Sequence, residues 1–180
     1  MKTLVVYDSA FGNTERVARA VGGALGSPDE VAVVRVGDLQ PDGLAGVEVL
    51  VVGSPTQKFR PTAAASAFVR NLPADRLSGV RVAAFDTRIS VREAKSAVLS
   101  LLVRLLGPDA YAAQRLADGL ERCGGTLVAP PEGFFVEGMD GPLKAGELER
   151  AAAWAAQLAM TSGDGAARSV APERPAHVPV

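Results

Sequence analysis

The 180-residue sequence predicts an α/β domain in which helices cover both faces of a parallel sheet. Apolar segments rich in valine and leucine alternate along the chain with stretches that carry apolar residues at helical spacing. Glycine, proline and polar turn residues separate the two kinds of segment. The strand segments are apolar almost throughout, which is typical of strands that are buried on both faces.

Five strands are predicted, each from a short apolar run. The runs are 4–8, 31–36, 47–53, 80–85 and 126–129. Residues 134–136 either continue the fifth strand beyond Pro130 and Pro131 or form a short edge segment. Because helical stretches separate the strands, we expect a parallel sheet that helices cover on both faces.

Helices are predicted between these strands, bounded by glycine, proline or capping residues. They cover 13–25, 62–71, 90–107, 109–122 and 143–160. The helix at 90–107 is an insertion, and the sequence leaves open whether it covers a ligand, forms a dimer face or extends the core. Residues 161–180 show no apolar periodicity, so we expect a folded domain over 1–160 and a disordered tail. A strap lying on the domain is the alternative for the tail.

Composition excludes several classes of function. The net charge is −1 and no run is rich in lysine or arginine, so neither nucleic acid nor a membrane surface is expected as a partner. The single cysteine, Cys123, rules out an internal disulfide and a CxxC motif. It is expected to pack at a helix end, and a reactive thiol is the alternative. His177 is the only histidine and lies near the end of the sequence, so the chain lacks the residues that a zinc site or a Ser-His-Asp triad usually needs. No stretch approaches the length of a membrane span, so the cytoplasm is the expected location.

The loops that follow the first, third and fourth strands are the expected ligand site. Ligands of open parallel sheets bind beyond the carboxyl ends of the strands, where the winding direction switches. The first of these loops consists of Ser9, Ala10, Phe11, Gly12, Asn13 and Thr14, and it leads directly into a helix. Ser9 and Thr14 supply two hydroxyl groups to this loop. We expect Gly12 to let the backbone approach a ligand closely and Asn13 to cap the helix.

This first loop has the composition of an anion-binding site that contains no lysine or arginine. The first amides of a helix lack intrahelical partners and carry the positive end of the helix dipole. Together with the hydroxyls of Ser9 and Thr14, they predict a site for a dianionic phosphate held by neutral donors. The alternative is an ordinary strand–helix turn.

The loop resembles the phosphate loop of the flavodoxin family, which reads T/S-x-T/S-G-N-T between the first strand and the first helix. Phe11 stands where the family has a second hydroxyl, and the other characteristic positions match. The chain has neither the GxxxxGK[ST] motif of a nucleotide P-loop nor the dinucleotide motif GxGxxG. The resemblance implies a three-layer fold with a five-stranded sheet in the order 2-1-3-4-5 and a bound flavin mononucleotide (FMN).

The second and third loops complete the site that the resemblance implies. The second resembles the family's Gly-S/T-P-T loop beside the isoalloxazine ring and places these residues there: Ser54, Pro55, Thr56, Gln57, Lys58 and Phe59. Phe59 either stacks on the ring or serves as a core or lid residue. The third loop is expected to contribute Asp86, Thr87 and Arg88. Arg88 either raises the reduction potential of the flavin or pairs with Asp86, Glu93 or a helix end.

The third loop departs from the family because no tyrosine or tryptophan lies within it. Tyr111, at the start of the following helix, is the residue that could point back toward the crevice. Three functions remain open: an electron carrier that docks a redox partner protein, an FMN-dependent NAD(P)H:quinone-type reductase that uses a small-molecule electron acceptor, and a flavin-free binding module. A homodimer is a further option.

Overall fold

A computed structural model describes residues 2–90, 107, 111–138 and 140–160. The strands are β1 Thr3–Tyr7, β2 Val31–Arg35, β3 Val49–Pro55, β4 Arg81–Ile89, β5 Thr126–Leu127 and β6 Glu132–Val136. The helices are α1 Asn13–Leu25, α2 Ala63–Asn71, α3 Ala112–Arg122 and α4 Glu147–Met160, with a short 3-10 helix at Val36–Asp38. The predicted helix 90–107, apart from its two end residues, and the predicted tail 161–180 lie outside the described residues.

All strand pairs in the described sheet are parallel, and the predicted order β2-β1-β3-β4-β5 is confirmed. The sheet also contains β6, which pairs with β4 beyond the point where β5 ends. β5 lies opposite Arg81 and Val82, and β6 lies opposite the stretch from Phe85 to Ile89. The segment 134–136 therefore lies beside β4 as β5 does, and it continues the predicted fifth strand after a break. Prolines at 130 and 131 lack the amide that a ladder needs, which accounts for the break.

β4 is longer than the sequence predicted. The predicted strand ended at residue 85, whereas β4 continues to Ile89 and includes Asp86, Thr87 and Arg88. These three residues are therefore strand residues and not a loop. Polar side chains gave the segment the composition of a loop, but its backbone lies between β3 and β6 and finds ladder partners on both sides.

Two apolar cores lie on opposite faces of the sheet. One joins α1 and α4 to the sheet through residues such as Val17, Val51 and Trp154. The other joins α2 and α3 to it through residues such as Val52 and Leu116. Adjacent residues of each strand point to opposite faces, so all of β1, nearly all of β3 and the middle of β4 are buried. This rigid sheet holds the loops after β1 and β3 at the same edge. Among the described residues, no helix has the length and apolar character to cross a membrane.

Candidate cofactor-binding site

A cavity of about 680 Å³ opens at the carboxyl edge of the sheet. Its walls come from the first loop (Ser9, Ala10, Phe11, Asn13, Thr14), from the second loop (55–63) and from the end of β4 with its neighbours (Thr87, Arg88, Ile89, Tyr111, Val136). This volume lies within the range of sites that hold small ligands and cofactors. The cavity therefore stands where the topology of the sheet predicts a ligand.

The first loop is held by a glycine in the left-handed region. Gly12 has φ +84° and directly precedes α1, and its carbonyl accepts the amide of Arg16. The Ser9 hydroxyl oxygen accepts the Gly12 amide at 3.0 Å, so the hydroxyl shapes the turn from within. A Cβ built on Gly12 meets no atom within 4 Å. The glycine is thus required for its backbone conformation and leaves the space above the loop open.

Backbone amides at the start of α1 are available to a ligand. Among the described residues, no acceptor pairs with the amides of Ala10, Phe11, Asn13, Thr14 or Glu15. These donors lie where the helix dipole is positive. Four of the five residues also line the cavity. The chemistry of this donor set fits the phosphate group of a mononucleotide.

Two side chains of the first loop make contacts within the fold, and one of them, Asn13, does not have its predicted capping role. Asn13 does not cap α1, because the preceding residue occupies the cap position and no side-chain cap bond forms. Its Nδ2 donates instead to the carbonyl of Gly141 at 2.6 Å, which ties the loop to the segment before α4. The buried Thr14 hydroxyl lies 2.8 Å from the Thr87 hydroxyl, so it links the loop to β4. Both residues still line the cavity.

Ser54 does not reach the cavity, contrary to its predicted place beside a ligand. Its side chain is fully buried. Its hydroxyl accepts the Thr62 amide at 3.0 Å and donates to the Pro55 carbonyl at 3.1 Å. Ser54 therefore fixes the second loop against the start of α2. Its match to the family's Gly-S/T-P-T loop predicted a binding role, and only its tertiary contacts reveal the internal role.

The tip of the second loop is a tight reverse turn with unusual backbone angles. Lys58 and Phe59 have φ values of +48° and +64°. Gln57 and Arg60 exchange both backbone hydrogen bonds, at 2.8 and 3.0 Å, as in a two-residue hairpin of type I′. Left-handed angles are costly for a bulky residue such as phenylalanine. The turn holds Phe59 half-buried in the cavity wall.

Asp86 lies behind the cavity wall and not in it. Its carboxylate is fully buried and pairs with the Arg88 side chain. It also accepts the Thr56 hydroxyl and the Ala113 amide, each at 3.0 Å, while the Thr56 oxygen accepts the Ala112 amide at 2.9 Å. Burial raises the pKa of Asp86, and Arg88, the Ala113 amide and the Thr56 hydroxyl oppose that rise. Asp86 thus anchors the wall and supplies the start of α3 with an acceptor.

Arg88 pairs with Asp86, which was one of the two roles predicted for it. Its side chain is only 15% exposed, and its guanidinium carbon lies 3.7 Å from the centroid of the Tyr111 ring. A Cβ on Gly133 of β6 would stand 2.3 Å from that same carbon, so the glycine makes room for the arginine. Arg88 is therefore clamped between a carboxylate, an aromatic face and the β6 backbone. It also lines the cavity.

Tyr111 supplies the aromatic residue that the segment after the fourth strand lacks. It lies in the cavity wall directly before α3, although residues 91–110 separate it from Ser90 in sequence. Its place confirms the expectation that it points back toward the crevice. The fixed start of α3 explains this position, because Thr56 and Asp86 hold the two amides that follow it.

Comparison with solved structures identifies the architecture. A flavodoxin from the domain Archaea matches with a TM-score of 0.64 and 22% identity over 89% of this chain and 97% of that chain. Flavodoxin 2 from Bacillus cereus matches with a TM-score of 0.69 and 22% identity over 89% and 99%. The chain has the flavodoxin-like fold. A flavodoxin, WrbA-like protein from Agrobacterium tumefaciens matches with a TM-score of 0.61 and 22% identity over 89% and 96%. No protein-family model matches the sequence.

Phe11 is where this flavodoxin-like chain departs from the family's phosphate loop. The side chain that replaces the usual hydroxyl is 58% exposed and lies at the cavity rim. The substitution removes one side-chain donor, but the backbone amide of Phe11 keeps its place among the unpaired amides. The flavodoxin-like cavity also lacks acidic wall residues among those described, and Lys58, Arg60 and Arg88 are its cations.

Proposed function

We propose that this chain binds FMN non-covalently in the cavity and transfers electrons through it. The observation that carries the proposal is the set of unpaired amides at the start of α1, which lies at one end of a cavity with aromatic walls. A phosphate can bind these amides without a permanent positive partner. The flavodoxin-like fold of the chain supports the same assignment.

The walls of the cavity suit the remainder of the cofactor. Phe59 and Tyr111 supply aromatic surface to the cavity wall, and Pro55, Ile89 and Val136 add apolar surface. Thr56, Gln57 and Thr87 offer polar groups that can orient a heteroaromatic edge. When bound, FMN supplies one- and two-electron redox chemistry, and the protein supplies position and electrostatics. Either a redox protein or a small acceptor molecule can take the electrons.

The decisive experiment is a titration of the purified protein with FMN, followed by absorbance and flavin fluorescence. We expect one equivalent to bind. Gly12→Asp is expected to weaken binding about a hundredfold or more, because a carboxylate would face the phosphate. The open space around Gly12 leaves room for the new side chain, and the strain that its positive φ imposes is matched in the control.

Gly46→Asp is the matched control. Gly46 also has a positive φ, +70°, with no atom within 4 Å of a built Cβ, and it is exposed far from the cavity. Both variants add a carboxylate and the same kind of backbone strain. Equal FMN affinity in the two variants would refute the phosphate site. A wild-type protein that binds no FMN would leave the flavin-free module as the function.

A second function, an FMN-dependent NAD(P)H:quinone-type reductase, is favoured by the charge of the cavity wall. Lys58 and Arg60, both exposed, can attract the phosphates of a nicotinamide cofactor, and no carboxylate is among the described wall residues. NADPH oxidation by the FMN-loaded protein in the presence of a quinone, without a further protein, would establish this function. Reduction that needs a separate reductase would establish the carrier.

A further inference from the structure

A second groove, adjacent to the cavity, is lined by four arginines. It runs between α2 and α3, and its rims carry Arg60, Arg70, Arg115 and Arg122. The floor between them is apolar and includes Val69 and Leu116. We call this feature the arginine groove; its volume is about 570 Å³. No aspartate or glutamate is among its described wall residues.

The clustering of these arginines does not follow from the composition of the chain. The whole sequence has 19 basic and 20 acidic residues, so its charge is nearly balanced. Among the described residues, no carboxylate pairs with Arg60, Arg70 or Arg122. Arg70 and Arg122 lie in the last turns of their helices, where a cation also favours the dipole. That explanation does not cover Arg60, which lies before α2, or Arg115, which lies near the start of α3.

The geometry of the groove fits an extended anion better than a single phosphate. Arg115 and Arg122 are seven residues apart on one helix, so they share a face and their backbones are separated by about 10 Å along the axis. Arg70 lies on the opposite rim, toward the end of α2. The cations are therefore spread along the groove and do not converge on one point. A chain of carboxylates with an apolar side matches this arrangement of charged rims and apolar floor.

The groove meets the cavity at Arg60 and Pro61, which line both. A partner that lies in the groove would therefore be held next to the mouth of the proposed flavin site. We propose that the arginine groove docks an acidic segment of a redox partner protein, an assignment that rests on the proposed electron-transfer function. The charge of the groove would select the partner and speed its encounter at low ionic strength.

The test uses fluorescein-labelled decaglutamate as the probe and fluorescence anisotropy as the readout, with the full chain in both its FMN-free and FMN-loaded forms. The affinity of the wild type is expected to fall at least about fivefold between about 20 mM and about 200 mM NaCl. The double variant Arg70→Gln with Arg122→Gln is expected to bind about tenfold more weakly at low salt. Both residues are exposed and lie outside the cavity, so FMN binding should not change.

The control is Arg16→Gln with Arg19→Gln, which removes two exposed arginines from α1. That helix packs on the opposite face of the sheet, so this variant should stay within about twofold of the wild type. Equal losses in the two double variants would overturn the docking site. Micromolar binding of ADP that disappears in the groove variant would also overturn it, in favour of a small phosphate-bearing ligand. Failure to bind FMN, with the peptide result intact, would count against the electron-transfer function and not against the groove.

Discussion

Replacing Arg88 by methionine is the most informative perturbation of the cavity wall. Methionine keeps much of the length of the side chain and removes its charge. The carboxylate of Asp86 would then remain fully buried with only the Thr56 hydroxyl and the Ala113 amide as partners. A buried charge that loses its partner is far more destabilising than an exposed one.

The expected cost follows from the burial of the pair. Removing one partner of a buried ion pair costs about 3–5 kcal/mol of folding free energy. Because Arg88 is 15% exposed, we expect a loss at the lower end of this range, about 3 kcal/mol at about pH 8. The pKa of Asp86 is already raised by burial, and loss of Arg88 raises it further. A carboxyl whose pKa is higher in the folded than in the unfolded chain binds its proton more tightly when folded. Stability should therefore recover as the pH falls, and the cost at about pH 5 should be smaller.

Urea unfolding followed by tryptophan fluorescence measures this effect directly. Trp154 is the only tryptophan, and it packs against Phe85 and Phe134 in the core. Arg35→Met is the control, since Arg35 is 53% exposed and its pair with Asp8 should be worth well under about 1 kcal/mol.

A variant that lacks both charges completes the experiment. Asp86→Asn combined with Arg88→Met leaves no buried charge, so it should be more stable at about pH 8 than Arg88→Met alone, with little dependence on pH. The reasoning is wrong if Arg88→Met costs no more than Arg35→Met at about pH 8. It is equally wrong if the cost is unchanged at about pH 5.

Two further predictions concern the support of the cavity. Gly53→Ala should lower the free energy of unfolding, measured in urea, by about 1–3 kcal/mol, because the new Cβ would stand 2.1 Å from the Phe85 ring. A loss under about 0.5 kcal/mol would show that the ring moves freely. Asn13→Ala should cost about 1 kcal/mol and speed amide exchange around Gly141, since it removes the 2.6 Å bond between them; unchanged exchange there would show that the bond does not restrain the segment.

Much of the fold was predictable because apolar residues form clear strand-length runs and recur at helical spacing along this chain. The first helix was predicted at 13–25 and is found at Asn13–Leu25, where apolar residues at helical spacing precede a glycine–proline stop. The end of the fourth strand was not predictable from composition. Asp86 and Arg88 are polar residues in a buried strand, and they are tolerated there because they neutralise each other. Sequence patterns do not show such pairing, since it depends on side-chain contacts within the fold.

The candidate site was predictable as a location and less so as a set of contacts. The positive-φ turn at Gly12 and the unpaired amides beside it follow from local sequence, and they lie at the start of α1 as the sequence predicts. Ser54 and Asp86 have the residue types of ligand contacts, but they hydrogen-bond within the wall instead. The role of Tyr111 in the wall depends on where α3 begins, which the contacts of Thr56 and Asp86 determine.

Those same contacts fix the point at which α3 begins. The chain leaves the sheet at Ser90 and re-enters the described structure at Tyr111. At that point Thr56 of the second loop and Asp86 of β4 both hold the first amides of α3. The place of Tyr111 in the cavity wall therefore depends on these two contacts, one of which comes from a buried carboxylate of β4.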